Sequence, residues 1–139
     1  MCQTTIRRLT VGGLIPLVIA LGLACKYYRG MGSEFINHYG PASVAYVVLL
    51  MLVVFLVLPR EEWIGRIAIG VCLGTCLLEF LQLWHPPFLQ AIRATRVGQL
   101  AVGSTFSWWD FPAYFVGCLL GVPLLRGICR YTGPRAQGS

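Results

Sequence analysis

VCLGTCLLEFLQLWHPPFLQAIRATRVGQLAVGSTFSWWDFPAY, residues 71–114, decides how this chain folds. It opens inside an apolar run that reaches Glu79, Gln82 and Trp84. His85-Pro86-Pro87 stops that run, because proline lacks the N–H and clashes with the preceding turn. A mixed segment follows, with Arg93 and Arg96 set among Leu89, Ile92, Val97 and Leu100. At Trp108-Trp109-Asp110 a second apolar run begins. In lipid the backbone must satisfy its own hydrogen bonds, so each apolar run reads as a spanning helix. Residues 88–106 are neither long nor apolar enough to span, and read as an interfacial or re-entrant segment. The polar groups able to do chemistry are thus concentrated between two spans.

Working outward, two more apolar runs appear. Leu9 to Cys25 is closed by Lys26-Tyr27-Tyr28-Arg29, a basic and aromatic belt. Pro41 suits a first helical turn, and Ala42 to Leu58 carries no charge. The expected architecture is an all-α membrane protein with four transmembrane helices, at about 9–26, 41–58, 63–84 and 109–126. They form a single domain, residues 1–131, followed by a disordered tail, 132–139. Gly30 to Gly40 reads as a short loop, and Ser104, Thr105 and Ser107 as caps before the last helix.

Composition agrees. Of 139 residues, 57% are hydrophobic and 12% charged, and mean hydropathy is +0.72. A soluble domain of this size could not hide so much apolar surface. The net charge of +6 sits in short flanks of apolar runs rather than on one basic face, which argues against a nucleic-acid partner. Arg7, Arg8, Arg60, Arg66, Arg126, Arg130 and Arg135 share one side, and Lys26, Arg29, Arg93 and Arg96 the other. Seven against four places both termini in the cytoplasm. The six cysteines form no CxxC and read as small hydrophobes.

Helical rotation sorts the side chains. With Gly70 at zero, Gln82, Thr75, Glu79 and Cys72 fall at about 120°, 140°, 180° and 200°. Gly70 and Gly74 occupy the opposite side and form a GxxxG-like packing stripe. With Asp110 at zero, Tyr114, Gly117 and Gly121 lie within about 40°, so the acid points the way of a second small-residue stripe. Glu79 lies roughly 7–8 Å inside the interface, where a carboxylate needs a partner. Arg93 and Arg96, three residues apart, are expected to pair with Glu79 and Asp110 or to hold an anion through forked hydrogen bonds. His85 stands at the membrane boundary. No HExxH or His-x-His spacing marks a metal site, and no phosphate loop or nucleophile pair marks a cofactor site, so neither group is expected.

The run Glu79-Phe80-Leu81-Gln82, Trp84-His85-Pro86-Pro87, Ile92-Arg93-Ala94-Thr95-Arg96-x-Gly98, Gly103-x-x-Phe106-x-x-Trp109-Asp110 and Tyr114-x-x-Gly117-x-x-x-Gly121 resembles a family of small bacterial membrane proteins, domain of unknown function 2809 (DUF2809). That family is similar to the VanZ-like group. The resemblance implies four membrane helices and signature positions at Glu79, Gln82, Arg93, Arg96 and Asp110. It implies an envelope setting in the bacterial cell (inner) membrane, but no reaction. Relatives tend to carry Gly-Asp where this chain has Gly40-Pro41.

These residues are compatible with three roles. In the first, Glu79, Gln82, His85, Arg93, Arg96, Asp110 and Tyr114 line an outward-facing pocket for an anionic lipid head group or envelope precursor. In the second, the cluster is a structural lock within an assembly protein. In the third, Glu79 is the acid/base of an enzyme acting on an envelope lipid.

Overall fold

A computed structural model describes residues 2–38, 40–102 and 106–133, and the described residues form helices joined by short turns. They are α1 (Cys2–Tyr27), α2 (Ser33–His38), α3 (Pro41–Val57), α4 (Ile64–Leu83), α5 (Pro87–Arg93), α6 (Arg96–Val102) and α7 (Asp110–Thr132). A single 3₁₀ turn, Glu61–Trp63, leads into α4. Three helical stretches are long and apolar enough to cross a membrane: Gln3–Tyr27, Glu61–Leu83 and Asp110–Thr132. The fourth apolar helix, α3, has 17 residues, about 25 Å at 1.5 Å per residue, and is the shortest of the four.

The elements depart from expectation in three places. Residues 33–38, expected as loop, form α2. The segment 88–106 divides into α5 and α6, with Thr95 closing the corner through Oγ1 to the Ile92 carbonyl at 2.8 Å. α7 runs to Thr132, so the first residue of the expected tail is helical. Residues 134–139 lie outside the described residues, as do the expected caps Ser104 and Thr105. Ser107 offers α7 its carbonyl, 3.2 Å from the Asp110 N–H, rather than a hydroxyl cap.

α3 is the hub of the bundle. It packs most extensively on α1 and α7, while α7 also packs on α4. Its buried side chains, Val47, Met51, Leu52 and Phe55, are all sealed from solvent. α4 buries Ile64, Ile67, Ala68, Val71, Thr75, Glu79 and Gln82, a stripe at three- and four-residue spacing. α7 buries Ala113, Tyr114, Gly117, Cys118, Gly121 and Leu125 in the same way. These two stripes carry the polar residues into the bundle. The five cysteines whose side chains are described, Cys25, Cys72, Cys76, Cys118 and Cys129, are free.

Of the two small-residue stripes, one is used. A methyl group on Gly117 would lie 2.9 Å from Val47 Cβ and 3.0 Å from the Val44 carbonyl oxygen, and one on Gly121 would strike Met51 Sδ. Gly70 and Gly74 face open space with nothing within 4 Å. The expectation that both stripes pack is corrected: α4 meets its neighbours through its polar face, which leaves its glycine face outermost. Gly70→Ala should therefore be neutral or raise stability by up to about 1 kcal/mol, the helix-propensity gain alone. Thermal melting of the detergent-solubilised variant checks this.

One end of the bundle is tied by Arg7, whose guanidinium donates to Thr132 Oγ1 at 3.4 Å and to the Pro59 carbonyl at 3.5 Å. This gathers the start of α1, the end of α3 and the end of α7. The opposite end holds Lys26, Ser43, Glu79 and Asp110.

Candidate functional site

Glu79 sits in the penultimate turn of α4 with no solvent exposure. Asp110, the Tyr114 hydroxyl and the Ser107 backbone N–H lie within interaction range of it. Among the described residues, neither of its carboxyl oxygens completes a hydrogen bond. The Asp110 carboxyl is held by α3, where Ser43 Oγ donates to Oδ1 at 2.8 Å. Three helices that are distant in sequence thus meet at one polar cluster.

Ser43 reaches Asp110 because of how α3 begins. Gly40, the residue before the helix, has φ of 96°, a left-handed conformation that glycine adopts without strain. A methyl group there would also come within 2.7 Å of Ala113 Cβ on α7. Gly40 therefore lets the start of α3 lie against the first turn of α7, and Ser43 follows three residues later. No signal in the sequence marked Ser43, since a lone serine in an apolar helix is ordinarily a local backbone partner.

The arginines do not pair with the acids, which corrects the expected ion pairs. Arg93 is buried, and its Nη2 donates to the Leu81 carbonyl at 2.8 Å and its Nη1 to the Trp84 carbonyl at 3.3 Å. Those carbonyls end α4, where the helix dipole favours a cation; Leu81's also accepts the Trp84 N–H at 3.1 Å, and its second lone pair takes the guanidinium. Pro86-Pro87 reverses the chain so that α5 brings Arg93 back beneath that end. Arg96, at the start of α6, is exposed. His85 is also exposed, at the corner between α4 and α5, with Nδ1 3.0 Å from the Leu83 carbonyl. Both stand outside the cluster.

Gln82, buried beside this corner, donates through Nε2 to the Val102 carbonyl at 3.1 Å. Tyr46 on α3 donates to the Ala101 carbonyl at 2.8 Å. Together with Arg93 they strap α5 and α6 across the end of the bundle. Gly98 allows the tight turn between those helices, because any side chain there would collide with the Ile92 carbonyl.

Under this strap lies a cavity of about 760 Å³, open on one side and bounded by α1, α3, α4, α6 and α7. Much of its wall is apolar, including Val18, Leu23, Leu49 and Leu78. Its polar groups include Lys26, Ser43, Tyr46, Gln82, Asp110 and Tyr114. Gln82 Oε1 is buried and makes no hydrogen bond among the described residues. Glu79 is not part of the lining and stands behind Asp110 and Tyr114. Of the expected site residues, the structure brings together Glu79, Asp110 and Tyr114, with Gln82 on the same cavity. It adds Ser43, Tyr46 and Lys26. The belt of Lys26-Tyr27-Tyr28-Arg29 was legible as a membrane boundary, but only folding shows that Lys26 faces a cavity.

A family model described as "Protein of unknown function (DUF2809)" matches residues 31–118. The match spans α2 to the middle of α7 and includes every member of the cluster. Lys26 and the α1 wall of the cavity fall outside it. No solved structure matches the chain.

Proposed function

We propose, from the premise that this chain belongs to the DUF2809 family of proteins of unknown function, that it is a non-catalytic membrane protein which seats the head of an anionic envelope lipid or lipid-linked precursor. The observation that carries the reading is the half-open cavity with an apolar wall and one polar end. An acyl chain suits Val18, Leu49 and Leu78. The anionic group suits Lys26, the cation among the cavity residues. Hydroxyl groups of the head suit Gln82 Oε1, which has no hydrogen-bond partner among the described residues, and the Asp110 carboxylate. A site offering one cation and several acceptors favours a phosphate bearing a polyol over a bare phosphate.

The setting we propose is a bacterial cell (inner) membrane with both termini cytoplasmic. The arginine-rich Arg7 end then lies inside and the cavity end outside. A purely structural role is the second reading, favoured by the use of Arg93, Gln82 and Tyr46 as straps on the α5–α6 hairpin. No catalytic step is proposed.

Native mass spectrometry after gentle extraction separates the readings. The wild-type chain should retain an anionic, hydroxyl-bearing lipid. Lys26→Ala should lower its occupancy about tenfold, equivalent to about 1.4 kcal/mol, while Lys26→Arg keeps it. Equal occupancy in all three proteins, or no retained lipid in any, would leave the structural role standing instead.

A further inference from the structure

We propose that Glu79 and Asp110 jointly hold one monovalent cation, a proton or a sodium ion, inside the bundle. Glu79 is absent from the cavity lining whereas Asp110 belongs to it, so the cation site adjoins the cavity and shares one carboxyl with it.

Two observations carry the proposal. Glu79 is fully buried and both of its carboxyl oxygens lack a hydrogen-bond partner among the described residues. Gln82, one helical turn further on and also buried, leaves Oε1 without a partner among the described residues. Among the described residues, three buried acceptor atoms on one face of α4 thus complete no hydrogen bond, although the Tyr114 hydroxyl and the Ser107 backbone N–H lie within interaction range of Glu79. A buried carboxylate left without a counter-charge is strongly disfavoured, and a second carboxylate beside it makes this worse.

The surrounding charges offer no relief. On α4 itself the titratable neighbour is the Cys76 thiol, which in turn lies beside Cys72. α7 supplies Asp110 and Tyr114, and α3 supplies Tyr46, all of them neutral or acidic. Lys26 of α1 lines the cavity, which Glu79 does not. Arg93 is turned to the Leu81 and Trp84 carbonyls, and its buried Nε completes no hydrogen bond among the described residues. A proton shared between Glu79 and Asp110, or a sodium ion held by their oxygens, supplies the missing positive charge. A proton would be bonded to one carboxyl and accepted by the other, and a sodium ion would be coordinated by oxygens of both; either adds one positive charge to the pair.

Infrared spectroscopy and melting of the full chain in detergent distinguish the two sources. If the cation is a proton, the wild-type spectrum at neutral pH contains the carbonyl stretch of a protonated carboxyl. That band is lost in Glu79→Gln, and melting is the same in sodium chloride and choline chloride. If it is sodium, the band is absent, and sodium chloride raises the melting temperature over choline chloride by several degrees. Glu79→Gln abolishes that difference. The salt comparison and the presence of the band are in any case read on the wild-type chain. No protonated carboxyl at neutral pH, together with identical melting in the two salts, would overturn the proposal.

Discussion

Gly117→Leu is expected to destabilise the bundle severely, by forcing apart its two most central helices. The first carbon of any side chain at position 117 would stand 2.9 Å from Val47 Cβ and 3.0 Å from the Val44 carbonyl oxygen. The second of these is backbone and cannot rotate away. Leucine therefore separates α3 and α7 along the contact that organises the other helices. Overpacking by a few methylenes costs about 1–3 kcal/mol in well-packed cores. The expected loss is at the upper end or beyond, against a typical total of about 5–15 kcal/mol. Thermal melting with light-scattering detection should show early aggregation of Gly117→Leu. Gly74→Leu, on the open face of α4, should melt close to wild type. Equal melting of the two variants would contradict the assigned α3–α7 contact.

Arg93→Ala should release the α5–α6 hairpin from the end of α4. Hydrogen bonds to charged groups contribute about 1.5–3 kcal/mol each, and Arg93 makes two, to the Leu81 and Trp84 carbonyls. The two are not additive, and a combined loss of about 3 kcal/mol is expected. The loss should be local. Hydrogen exchange should accelerate across residues 87–102 while α3 and α7 stay protected. Arg93→Lys should recover only part of the protection, because an ammonium group cannot present two donors in the fixed fork of a guanidinium. If Arg93 instead held an anion, alanine would leave exchange in the hairpin unchanged and remove only the bound ligand.

These two residues also show what the sequence makes legible. Gly117 stands in register with Asp110, Tyr114 and Gly121, and helical rotation alone placed all four on one face. The same rule gave Gly70 and Gly74 an equal claim to packing, yet they face outward. Periodicity finds a face but does not choose its partner. That choice depends on where the Pro86-Pro87 reversal and Gly40 set the neighbouring helices. Within α4, rotation did place Glu79, Thr75 and Gln82 together, and they are buried together.

Arg93 was legible as a polar residue needing a partner, and a carboxylate was the obvious one. The carbonyls at the end of α4 are invisible in a sequence, because every residue has one. They become a cation site only where a helix ends and another chain segment folds back upon it. The all-helical class was readable from the apolar runs, and the polar cluster from Glu79 and Asp110. The cavity was not, since its walls come from α1, α3, α4, α6 and α7 at once. Ser43 illustrates the difficulty: its contact with Asp110 spans 67 residues.

The proposed seat of the lipid is the cavity beneath the α5–α6 strap. Ala42 lines it near the start of α3, and Ala42→Trp would fill much of the polar end while leaving Lys26 and the strapping side chains in place. The most direct measurement is the lipid occupancy of this variant beside wild type, by native mass spectrometry, with melting confirming that both are folded. Occupancy that falls at least tenfold in a folded Ala42→Trp chain is the predicted result. A folded variant that retains the same lipid at wild-type occupancy would contradict lipid binding in this cavity.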